Sequence, residues 1–154
     1  MATTESAAPK TTKGYISVMV YKGEPLDYQQ YRHVAIWIRF GDGSESALVN
    51  IVGPNKDYKT EVSYGNNPAD SRSFLKEVQV GWTTTPMPAA SLVTFIWQTP
   101  IDNSTTDFDC QKWVALALQR LAQSRYLGEA ECRNGVNAMV DATLEGAEEE
   151  RGTN

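Results

Sequence analysis

Apolar residues in this chain follow two periods, and the change falls a little past its middle. In the first half they come in short blocks rich in β-branched and aromatic side chains. "GYISVMVYKG" is bounded by glycines, "RHVAIWIRF" and "ESALVNIVG" flank a "GDGS" turn, and "YKTEVSY" and "FLKEVQVGW" follow. Each block is a strand signal, and the pair around Gly41–Ser44 reads as a β-hairpin. Gly53–Pro54 stops the second strand of that hairpin. "EPLDYQQY" and "GNNPADSRS" read as loops.

From Met87 the period lengthens. "MPAASLVTFIWQ" is a short apolar helix candidate, with Pro88 near its first turn, where proline is tolerated. From about Asp107 the residues Cys110, Trp113, Val114, Ala117, Leu118 and Leu121 recur at the spacing of one buried helix face. Thr106 and Asp107 are the candidate N-caps, which puts Cys110 in the first turn. Gly128 breaks the pattern, and "EAECRNGVNAMVDATLEG" offers a weaker last helix, interrupted at Gly135. Strands first and helices after predict an α+β domain, an antiparallel sheet of about four to five strands packed against two or three helices. The domain is expected over 14–143, with 1–13 a disordered lead-in and 144–154 an acidic disordered tail.

Composition narrows the function. A chain of 154 residues with 41% hydrophobic content fits one domain with a core and a pocket. The formal net charge of −5, without any basic stripe, turns the reading away from nucleic acid. No run of about 18 apolar residues is available to span a membrane, and the polar N-terminus lacks the apolar core of a signal peptide. A cytoplasmic location is therefore expected, with the oligomeric state open. Two cysteines in that setting read as reduced thiols, and "NST" at Asn103 as a chance sequon. One histidine and two distant cysteines lack the spacing of a metal site, and no cofactor is implied.

The candidate chemistry gathers on three residues. At a helix start, free backbone N–H groups and the positive end of the helix dipole favour a thiolate at Cys110, while Asp107 and Asp109 oppose it. His33, the only histidine, begins the strand "HVAIWIRF". If the turn pairs Phe40 with Glu45, His33 lies opposite Val52 and Ala35 opposite Asn50. His33 and Asn50 then share a face as diagonal neighbours, and a two-residue shift makes them direct partners. Asn50 is a polar residue in the apolar run "ALVNIV"; orienting His33 is one reason for it, capping a bulge another. Trp37 shares the strand face of His33, and Gln111 adjoins the cysteine. With Tyr31 they are the candidate substrate-binding residues. Cys132 reads as an inert thiol.

A His-initiated strand "HVAIWI" followed far downstream by "DCQKWVALAL" resembles the circularly permuted papain-like fold. That group includes NlpC-type cell-wall peptidases, PPPDE-type peptidases and lecithin retinol acyltransferase-like enzymes. The closest resemblance is to small fungal proteins with a histidine strand, a "VxGPxG"-like strand end and an "NCQxWV" helix start. Here the counterparts are His33, "NIVGPN" and "DCQKWV". The chain departs from the pattern at Asp109, where asparagine is common, and at Asn55 and Lys56. The resemblance implies Cys110 as nucleophile and His33 as general base of a hydrolase or acyl-transfer enzyme. Two other readings stay open. One is a non-covalent small-molecule-binding protein, or a cyclase or isomerase of fungal secondary metabolism, with Cys110 merely lining the wall. The other is a non-catalytic peptide-binding module.

Overall fold

The computed structural model describes residues 10–146. The greater part of the expected lead-in and tail, residues 1–9 and 147–154, lies outside the described residues. Five strands form one antiparallel sheet: β1 (Gly14–Tyr21), β2 (His33–Phe40), β3 (Ala47–Val52), β4 (Lys59–Tyr64) and β5 (Phe74–Trp82), in the order β4-β3-β2-β1-β5. Three helices follow: α1 (Ala89–Trp97), α2 (Cys110–Gln123) and α3 (Glu129–Leu144). The fold is α+β, with the strand and helix segments where the hydrophobic period places them. Pairing starts before the expected boundary at Gly14, because Thr12 and Met87 exchange backbone hydrogen bonds of 2.9 and 3.0 Å.

The core lies between the sheet and the helices. Alternation along β2 sends Val34, Ile36, Ile38 and Phe40 towards it, where they meet Trp113, Val114, Ala117, Leu118 and Leu121 of α2. Complete burial of each large apolar side chain contributes about 1.5–3 kcal/mol, so this stripe alone anchors α2. Trp113 is fully buried and donates its indole N–H to Thr99 O at 3.1 Å. The opposite face of the sheet carries a smaller cluster of Met19, Tyr21 and Ala35 with Trp37, Leu48 and Phe74 beside it.

Two expectations are corrected. Helix α2 starts at Cys110, not near Asp107, because the Asp109 carboxylate accepts the Lys112 backbone N–H at 2.9 Å and is itself the N-cap. Helix α3 runs through Gly135 without a break. A Cβ there would come within 2.9 Å of Val80 Cγ2, so the glycine permits close approach to β5 and does not end the helix.

Candidate functional site

The hairpin register places the site. Ile38 pairs with Ala47, Trp37 with Leu48 and Ile36 with Val49. Continued, this register sets Ala35 opposite Asn50 and His33 opposite Val52, the diagonal relation expected from the turn. The Asn50 amide nitrogen lies 2.9 Å from His33 Nε2. Which atom donates depends on the tautomer and on the amide orientation. Either way the pair engages Nε2, and Nδ1 makes no hydrogen bond among the described residues. Tyr21 sits beside it, ring centroids 5.7 Å apart. Burial lowers the His33 pKa below its ordinary 6.5, so the imidazole is neutral at neutral pH.

Cys110 reaches the same region from the helix side of the sheet. It packs against the main core, and its thiol donates to Arg32 O at 3.8 Å, on the peptide just before His33. No hydrogen bond joins Cys110 to the His33 ring among the described residues. Cys110 keeps some exposed surface, but the packing around its sulfur is dense. Desolvation raises the thiol to about 12, against the backbone N–H groups of Val34, Cys110 and Gln111, with Asp109 adding to the rise. His33 and Cys110 nevertheless border one cavity of about 350 Å³, together with Tyr31, Tyr58 and Asp109. His33 and Asn50 also border a second cavity of about 490 Å³.

The remaining candidates separate. Tyr31 is 41% exposed, lines the first cavity and stacks on Tyr28 with centroids 5.8 Å apart. Gln111 directs its amide N–H groups to Gln29 O at 3.0 Å and Arg32 O at 3.1 Å, stapling the first turn of α2 to the turn before His33. Trp37 shares the His33 face but borders neither cavity. Its ring lies under the Arg39 guanidinium, 4.6 Å from the centroid. Cys132 is buried and packs in the main core.

Several positioning residues escape the sequence pattern. Arg32, 8% exposed, chelates Asp27 through Nε at 2.9 Å and Nη2 at 2.8 Å, and donates Nη1 to Ala142 O at 2.8 Å. This ties the turn bearing the Arg32 carbonyl to α3. Asn55 donates to Thr106 O and Phe108 O, fixing the approach to Cys110. Asn103 exchanges both ends of its amide with the Tyr58 backbone, so the sequon asparagine serves to hold a loop. Their common signal is a polar amide or carboxylate in a loop, which no periodicity marks.

A family model, described as a family of unknown function (DUF6540), matches residues 19–128. The matched span includes His33, Asn50 and Cys110. No curated protein and no solved structure matches the chain.

Proposed function

The chain belongs to this family of unknown function, and we propose that it is a small-molecule acid–base enzyme whose working pair is His33–Asn50, without covalent catalysis by Cys110. The observation that carries the reading is the 2.9 Å contact between Asn50 and the Nε2 of His33, a residue that borders two cavities. Asn50 fixes the ring; with the amide turned so that its oxygen accepts Nε2–H, Nδ1 keeps its lone pair and can take a proton from a bound substrate and return it. A mono-protonated ring serves isomerisation or cyclisation, where one proton leaves the substrate and another is delivered.

The proton balance supports placing the covalent version second. Burial pushes the Cys110 thiol up to about 12 and the His33 imidazole down, and both shifts oppose transfer of the thiol proton to His33. A neutral thiol donating to Arg32 O is instead a satisfied wall group. Acyl transfer through Cys110 is the second reading. It is favoured by the cavity that Cys110 and His33 both border, by the N–H groups around the sulfur, and by the resemblance to permuted papain-like enzymes.

The test is conversion of compounds in a metabolite extract, followed by mass spectrometry. Wild type and Cys110→Ala are expected to consume the same compound, and His33→Gln to bind it without turnover. Loss of turnover in Cys110→Ala, or a covalent adduct on Cys110, would replace this reading with acyl transfer.

A further inference from the structure

The second cavity bordered by His33 lies on the sheet face away from the helices, and its lining has a definite chemistry. Asn50, Ser63, Asn66 and Ser73 supply amides and hydroxyls, groups that both donate and accept. Lys22 and Glu24 also border it, one charge of each sign, so the lining favours neither a cation nor an anion. Tyr21 is 8% exposed and forms part of the wall, and its hydroxyl has no hydrogen-bond partner among the described residues. Ser63 and Asn66 likewise spend no side-chain hydrogen bond on another described residue. A tyrosine nine-tenths buried whose hydroxyl still opens onto this cavity, beside a half-buried serine and an exposed asparagine, sets donors and acceptors on its wall that no other described side chain takes up.

We infer that this chamber binds an uncharged group carrying hydroxyls or amides, held by Tyr21, Ser63 and Asn66 with one of its polar atoms at the His33 ring. Such a group satisfies donors and acceptors together, as carboxylates and ammonium groups do not. The volume of about 490 Å³ is ample for a monosaccharide-sized or dipeptide-sized moiety. His33 stands between this chamber and the Cys110 cavity, and a substrate spanning both would present its reacting bond at the imidazole. The inference rests on the His33-centred reading above for that last step, and on the chamber alone for binding.

Because His33 is the only histidine, its ring gives one unambiguous set of NMR signals. Full-length protein is titrated with glucose and with acetamide, the hydroxyl and amide probes, and with acetate and methylammonium as charged controls. The expected result is a saturable shift of the His33 ring and of the Ser63, Asn66 and Ser73 amides with at least one neutral probe. Its Kd is expected in the millimolar range, with charged probes about tenfold weaker or more. Ser63→Ala with Asn66→Ala should weaken binding by about tenfold while the amide spectrum elsewhere stays unchanged. Asn66→Ala alone, at an exposed position, serves if the double variant does not fold. No saturable shift with either neutral probe, equal or tighter binding of a charged probe, or unchanged affinity in the variants overturns the inference. Saturable neutral binding in a protein whose turnover depends on Cys110 would keep the chamber and remove the acid–base reading.

Discussion

Alkylation of Cys110 tests the electrostatics of the site directly. Burial, with the Asp109 charge added, raises this thiol from an ordinary 9.0 to about 12. The thiolate is the reacting species, so the fraction available at neutral pH falls about a thousandfold relative to a solvated thiol. Iodoacetamide at pH about 7, with glutathione as the reference thiol and peptide mass spectrometry as the readout, should therefore label Cys110 about a thousandfold more slowly than glutathione. Unfolding in urea should restore the ordinary rate, because desolvation belongs to the fold. Asp109→Asn separates the two causes. Asparagine caps the helix as well as aspartate does, so α2 should persist while the charge beside the sulfur disappears. Labelling should then quicken several-fold yet stay below the free-thiol rate, since burial is the larger cause. A folded wild-type protein that labels Cys110 as fast as glutathione, or faster, would refute the neutral-thiol argument and restore the nucleophile.

Three further outcomes follow from named contacts. Burial depresses the His33 pKa, so the unfolded chain binds that proton more readily than the folded one. Stability should therefore be lost as pH falls from about 6.5 through the folded pKa, and be untouched above about 6.5; urea midpoints against pH should have a shallower acid slope in His33→Gln. An identical slope in the variant would count against a buried neutral ring. Asp27→Asn leaves the buried Arg32 guanidinium without its counter-charge, and because Asp27 is itself 30% exposed the cost should fall between surface and buried pairs, about 2 kcal/mol. Arg32 holds the Asp27 carboxyl down at about 2, so the pair's contribution is present above about pH 4 and lost on acidification towards 2, where thermal melts of variant and wild type should converge. Gly135→Ala gains helix propensity of about 1 kcal/mol but drives a methyl against the branched Val80 at 2.9 Å, and a net loss of about 1 kcal/mol is expected from denaturant titration.

The sheet and helix α2 were legible because burial on one face imposes a period that a chain must carry. The "GDGS" turn fixed the β2–β3 register, and the register alone brought Asn50 to His33. Gly135 misled because a small residue inside a helix reads as a break until the strand beneath it, with Val80, is known. Gln111 read as a candidate substrate-binding residue because its place beside Cys110 was visible and its acceptors, Gln29 O and Arg32 O, were not. Carbonyls more than 75 residues away leave no trace in local pattern. Arg32 and Asp27 were passed over for the same reason: a surface-looking "LDYQQYR" holds an ion pair that the fold half buries.

The residue between helix stability and thiol chemistry is Asp109. As N-cap it satisfies the Lys112 N–H and places a carboxylate at the positive end of the α2 dipole, an arrangement that stabilises the helix by about 1 kcal/mol or more. The same carboxylate stands one residue from Cys110 and raises its pKa. Asparagine keeps the cap and drops the charge, so the aspartate gives up thiol activation for a dipole interaction that asparagine supplies less well. With Gln111 and Cys110 both engaged on Arg32 O, the first turn of α2 is built as a clamp on the strand that carries His33. A clamp needs a stable helix start and a protonated thiol, and that is the combination Asp109 favours. In the proposed acid–base reading, the chemistry is then left to the ring that the clamp holds in place.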